Sequence, residues 1–180
     1  VLGCRAFDAH DERRYALEVL SDLLGGGMSS RLFERVRNEL GAAYYVKSSV
    51  DLSSDHGFIS VAAGVHHEKL FTVVEAVLKE LQSLATTLVT PGELMRTKDH
   101  LAGHLLLGLE TTDALATYYG GQEVLGDRIQ TPKDLTARIQ KVTAEEVREV
   151  ARFFAKNEKL NCALIGPVKN EAPLKKVLHF

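Results

Sequence analysis

His100 and His104 stand four residues apart on the segment that opens at Pro91, a spacing that turns both imidazoles to one helix face and could bring them to one zinc ion. The helical zinc-peptidase motif of this spacing needs a glutamate directly after the first histidine as general base, and position 101 is Leu. No third ligand is obvious, although Glu110 follows on the same stretch, so the pair reads as solvated or packed helix histidines. His66-His67-Glu68 is adjacent rather than helically spaced and makes no better metal site. Gly25-Gly26-Gly27-Met28-Ser29-Ser30 has the outline of a loop that cradles an anion before a helix N-terminus. It lacks the Lys-Ser/Thr pair of a P-loop and has no strand before it, which leaves a flexible connection between helices or a loop used by a partner domain or substrate. No G-x-S-x-G elbow exists, and Cys4 with a distant histidine is a pairing that chance supplies. Cys4 and Cys162 read as small buried thiols, with a single bridge between the terminal strands as the alternative.

One constellation is more specific, Arg37-Asn38-Glu39-Leu40-Gly41-Ala42-Ala43-Tyr44. Arg37 falls near the end of a helix and Tyr44 at the start of the following strand, so a tight turn at Gly41 could bring guanidinium and phenol to one side. A permanently charged donor beside a phenol can hold a peptide carbonyl or a carboxylate. As isolated residues they read equally as a surface arginine and a half-buried strand tyrosine.

Periodicity assigns the helices and strands on which these groups ride. Val1 to Ala6 suits a short strand, and Asp8 and Asp11 offer helix N-caps. Ala16, Val19, Leu20, Leu23 and Leu24 share one face of a helix that stops at the three glycines. Ser29 or Ser30 can cap a second helix striped by Leu32, Phe33, Val36 and Leu40 and ended by Gly41. Alternation then sets Val46, Ser48, Val50 and Leu52 against Tyr45, Lys47, Ser49 and Asp51, and with Phe58 to Val65 this predicts an antiparallel hairpin. Leu70, Val73, Val74, Val77, Leu78, Leu81 and Leu84 predict a long core-facing helix. Thr90-Pro91-Gly92-Glu93 reads as a capping box opening a helix to about Leu109, and another helix is expected from Thr112 to Leu125. Thr131-Pro132 and Thr143-Ala144-Glu145-Glu146 open two shorter ones. Leu160 to Ile165 reads as a closing strand, with a polar, loosely held tail after Pro167. The order predicts an α+β fold, one mainly antiparallel sheet with helices packed on one face. It predicts a single domain over residues 1–167 and a tail over 168–180.

Of 180 residues, 45% are hydrophobic and 26% charged, which excludes disorder as the main state. Twenty-two Lys and Arg against twenty-four Asp and Glu leave a net charge of −2, so no global basic field invites nucleic acid. No apolar run reaches membrane-spanning length, and no membrane partner is expected. The chain opens at Val1, inside a strand and without Met, and reads as a piece of something longer.

Leu24-Gly25-Gly26-Gly27-Met28-Ser29-Ser30-Arg31-Leu32-Phe33-Glu34, running on to Arg37 and Leu40-Gly41-Ala42-Ala43-Tyr44, resembles the opening of the C-terminal half of the pitrilysin/insulinase zinc metallopeptidases, nearest the bacterial and mitochondrial-processing-peptidase type. Thr90-Pro91-Gly92-Glu93-Leu94, Leu107-Gly108-Leu109-Glu110, Val142-Thr143-Ala144-Glu145-Glu146-Val147 and Ala163-Leu164-Ile165-Gly166-Pro167 continue the resemblance in order. It implies a LuxS/MPP-like metallohydrolase half, one of two homologous halves enclosing a chamber. Zinc sits in the other half, on an inverted His-x-x-Glu-His motif that stands nowhere in this chain. The resemblance implies no catalytic residue, metal site or cofactor here. It implies substrate-holding roles for Arg37 and Tyr44 and, with less support, a chamber-lining role for Gly25, Gly26 and Gly27. Its implied partners are the homologous zinc-bearing half and a polypeptide substrate, with self-association of the half alone. The rival implication is a scaffold that only packs against partner subunits. The compartment is left open, the cytoplasm being favoured for a bacterial source.

Overall fold

The computed structural model describes residues 1–124, 128–168 and 172–180. Strands β1 (Leu2–Ala6), β2 (Ala43–Leu52), β3 (Gly57–Val65) and β4 (Leu160–Cys162) form one sheet in the order β2-β3-β1-β4, every neighbouring pair antiparallel. Alternation works as the sequence predicts. Val46 and Ser48 of β2, Ile59 and Val61 of β3, and Leu2 and Cys4 of β1 are buried. Tyr45, Lys47, Ser49 and Asp51 look outward, as do Arg5 and Phe58. Helices α1 (Arg14–Gly25), α2 (Leu70–Thr86) and α6 (Ala144–Phe154) cover the buried face, and no described helix covers the other.

The core lies in that one layer interface, where Leu17, Val19, Leu20, Leu32, Leu84, Val147 and Phe154 are fully enclosed. α1 buries more than the single face expected, because it runs between the sheet on one side and α6 and α3 (Pro91–Gly108) on the other. Its start also differs from expectation. Asp8 and Asp11 accept from the N–H groups of His10 and Arg13 at 2.9 and 2.8 Å, closing two Asx turns ahead of a helix whose first residue has no side-chain cap.

At α3 the capping box is half formed. Thr90 accepts from the Glu93 N–H, but the Glu93 carboxylate turns to Arg31 instead of its own helix terminus. α5 (Pro132–Lys141) and α6 carry complete boxes at Thr131/Asp134 and Thr143/Glu146. α4 (Thr112–Val124) buries no residue; its expected end at Leu125 lies outside the described residues. The closing strand is shorter than the predicted run to Ile165. Among the described residues beyond Cys162 only Ala163 still bonds to β1's flank, at the Val1 carbonyl, and Ile165 is fully exposed.

The free thiols of Cys4 and Cys162 are out of line across β1 and β4, Cys4 facing Leu160 and Cys162 facing Leu2. Burial pushes the Cys4 thiol up to about 11, so it is an inert core group. Of the expected loose tail, the described residues 172–180 are packed. Ala172–Val177 forms α7 on the flank of α2; Leu174, Val177 and Leu178 pack against the core at helical spacing, an apolar stripe hidden within a lysine-rich sequence, and Phe180 packs there beyond the helix end.

Candidate functional site

The glycines after α1 are close-packed rather than slack. A β-carbon on Gly25 would fall 2.5 Å from the Ser48 backbone nitrogen of β2, and one on Gly27 would fall 3.2 Å from the His100 ring. Gly26 turns its N–H back to the Asp22 carbonyl at 2.9 Å. Ser30 closes the turn by donating its hydroxyl to the Gly27 carbonyl at 2.6 Å, so it acts as a turn lock rather than a helix cap.

Asp22 holds this turn to α3. Its side chain is 11% exposed, and both carboxylate oxygens lie 2.9–3.0 Å from His100 Nδ1, which must carry the proton. Burial pushes the Asp22 carboxyl above its ordinary range, and the His100 hydrogen bond opposes that rise. His104 stacks on His100 with ring centroids 6.1 Å apart. The two histidines therefore serve a carboxylate and one another. Among the described residues no group of three or more His, Cys, Asp and Glu is placed to hold a metal.

His100→Ala is expected to cost about 1 kcal/mol at neutral pH by leaving Asp22 without its donor. The deficit should shrink as pH falls and Asp22 takes up a proton, which urea unfolding at several pH values would read. A pH-independent deficit would show that ring packing on Gly27, and not the hydrogen bond, is what matters.

Beyond the turn, Arg31 fixes the chain to two helices. Its guanidinium makes a two-pronged contact with Glu93 at 2.7 and 3.0 Å and reaches Ser83 at 3.3 Å. The hydrogen bond from Arg31 keeps the Glu93 carboxyl below its ordinary range. The next segment is not the regular α-helix that the apolar spacing suggests. Phe33–Glu39 winds as a π-helix, with the Leu40 N–H on the Arg35 carbonyl at 3.2 Å. Such segments are rare and recur at functional positions. The wider turn keeps Leu32 and Val36 in the core but leaves Phe33 half-buried, where the Arg37 guanidinium lies 4.8 Å above its ring.

Gly41 then takes φ +55°, a left-handed turn that strains glycine little, and Ala42 donates to the Val36 carbonyl at 3.0 Å. β2 begins with a bulge. Ala43 faces Val65 and Tyr45 faces Gly64, so Tyr44 has no cross-strand partner and stands 78% exposed. Tyr45 lies over Gly64, where any β-carbon would come within 2.5 Å of its ring. Arg37 and Tyr44 are thus both displayed to solvent, on either side of the Gly41 turn, and Arg37 stacks on Phe33 rather than bonding to Tyr44. Neither side chain hydrogen-bonds to another described residue.

Phe33 was legible as an aromatic one turn before a cation, a signal that the helical-stripe reading absorbed into the core. The Asp22–His100 contact joins residues 78 apart and has no local signature.

The geometry defines an α+β domain with one sheet face that no described helix covers, and a turn at Gly41 flanked by an exposed arginine and an exposed tyrosine. The chain belongs to the Peptidase M16 inactive domain family, whose profile matches residues 1–101. This is the non-catalytic C-terminal half that the motifs resemble. It is 37% identical over 171 residues to a protein of Streptomyces coelicolor named an uncharacterized zinc protease, covering 95% of this chain and 37% of that one. A peptidase M16 inactive domain from Pseudomonas fluorescens shares its fold, with TM-score 0.76, 20% identity, and 88% of this chain and 39% of that one covered. So does a chain of Complex III2 from Candida albicans, with TM-score 0.78, 14% identity, and 88% and 40% covered. The chain spans well under half the length of the curated relative it matches.

Proposed function

We propose that this chain is the substrate-contacting, non-catalytic half of a zinc metalloendopeptidase that acts on unfolded or short polypeptides. The homologous half, in the same polypeptide or as a partner subunit, supplies zinc and the general base. The observation that carries this reading is the display of Arg37 and Tyr44: two strong donors, neither hydrogen-bonded to a described residue, on a segment anchored by Arg31–Glu93 and Asp22–His100. A guanidinium and a phenol in that position can hold a substrate carbonyl and favour the charge that gathers on its oxygen as it is attacked. The glycine turn, Gly25 to Gly27, borders the same segment and lines the chamber in this reading.

Leu106 and Leu107 at the end of α3 and Val124 at the end of α4 are exposed apolar residues. They offer surface to the homologous half, or to a second copy of this chain when that half is missing.

The test is co-expression of this chain with a zinc-bearing half, assayed on a quenched fluorogenic peptide and on an unfolded protein. Cleavage is expected from the pair, with each half alone inactive. Equal cleavage by the zinc-bearing half alone would overturn the reading. The scaffold reading is favoured by one observation, the fold shared with a chain of Complex III2. A stable pair that cleaves neither substrate would establish it instead.

A further inference from the structure

At the other end of β2 a cavity of about 390 Å³ opens between α1, α3, α4 and α5. Leu52 on its wall is eight residues along the strand from Tyr44, roughly 26 Å at the rise of an extended chain, so this space is separate from the Arg37–Tyr44 segment. Leu101, Leu105, Leu135 and Ile139 make its walls aliphatic. Part of its polar side is already satisfied. The Gln122 side chain donates to the Gln130 carbonyl at 3.2 Å and accepts from the Gln130 N–H at 2.7 Å, while the Gln130 side chain donates to the Tyr15 hydroxyl at 2.8 Å. Arg14 directs its guanidinium to the Ala9 carbonyl and the Tyr15 hydroxyl.

Glu18 is different. Its carboxylate lines the cavity and makes no hydrogen bond or ion pair with any described residue. A carboxylate taken from water into an aliphatic enclosure is costly unless a cation meets it or it takes up a proton, and no described residue offers a cation within bonding distance.

We propose that the cavity binds an alkylammonium group, its chain against Leu101, Leu105, Leu135 and Ile139 and its ammonium on the Glu18 carboxylate. Burial, and then the neighbouring charge of Asp22, push the Glu18 carboxyl up to about 7. Binding of the cation therefore strengthens as pH rises through neutrality. The other charged or titratable groups facing this space are Arg14 and Tyr15 on α1, His104 on α3, Tyr118 on α4, and Arg128. The arginines carry fixed charge. A proton on His104 would oppose a cation in the same direction as loss of the Glu18 charge, so the Glu18 variant is needed to separate the two.

The test is calorimetric titration of the 180-residue chain with n-hexylamine and its neutral counterpart n-hexanol at pH 8.5, where Glu18 is ionised and the amine still protonated. Hexylamine is expected to bind at least tenfold tighter than hexanol. In Glu18→Gln that preference should vanish while hexanol binding persists, which also shows that the variant is folded. Leu105→Trp, which fills the cavity and leaves the carboxylate in place, should abolish both. Equal affinities in the unmodified chain, no hexylamine binding at millimolar concentration, or an unchanged preference in Glu18→Gln would overturn the proposal. Nα-acetyl-lysine amide distinguishes the source of the group: affinity matching hexylamine points to a lysine side chain, and much weaker affinity to a free amine.

Discussion

Arg37→Ala and Tyr44→Ala, each introduced into the reconstituted peptidase, are expected to lower turnover at least tenfold with zinc content unchanged. Tenfold corresponds to about 1.4 kcal/mol of lost transition-state stabilisation, and single donors to a developing oxyanion are commonly worth more than that. Neither side chain is buried, so truncation leaves no cavity and the fold should hold. Arg37→Lys keeps the charge but loses the planar fork and the flat stacking on Phe33, and should recover only part of the activity. Tyr44→Phe isolates the hydroxyl. Phe33→Leu is the informative companion, because it leaves Arg37 in place and removes the ring beneath it, so it should raise KM more than it lowers kcat. Turnover of Arg37→Ala and Tyr44→Ala within twofold of the parent would remove both residues from the reaction.

The sheet and the long helices were legible because their signals are local. Strict alternation from Val46 to Leu52 survives in the burial of β2, and the stripe from Leu70 to Leu84 is the buried face of α2. What escaped was decided by partners far along the chain. Glu93 carries a capping-box signature, yet a half-buried arginine 62 residues away competes for its carboxylate and wins, a charged contact outweighing a helix-end bond. Asp8 and Asp11 have the right chemistry for caps, but their own turns claim them first. The π-helix keeps the apolar residues of a regular helix and differs by one residue per turn, a change that periodicity over nine residues does not resolve. At the candidate site the residues were legible through their resemblance to a family pattern, while their setting was not. The Phe33 platform, the Tyr44 bulge and the Asp22–His100 tie come from packing.

Gly25→Val is expected to destabilise the chain by about 2–4 kcal/mol. A β-carbon there would stand 2.5 Å from the Ser48 nitrogen and 3.2 Å from the Lys47 carbonyl carbon. Both are backbone atoms of a strand held in register by β3, so neither can swing aside. Relief requires the end of α1 to lift from β2, which parts the Ser21–Ser48 hydroxyl pair, 2.9 Å apart and buried. Gly27→Ala is the contrast. Its β-carbon meets the edge of the His100 ring at 3.2 Å, and that ring, its side chain 45% exposed, can rotate with little strain, though only by loosening its hold on Asp22. Urea unfolding should therefore separate the two variants by at least about 1 kcal/mol. Gly27→Ala should also reproduce part of the pH-dependent deficit of His100→Ala, which Gly25→Val should not share. If Gly25→Val unfolds at the same midpoint as the parent, the close approach of α1 to β2 is not what the glycine is for.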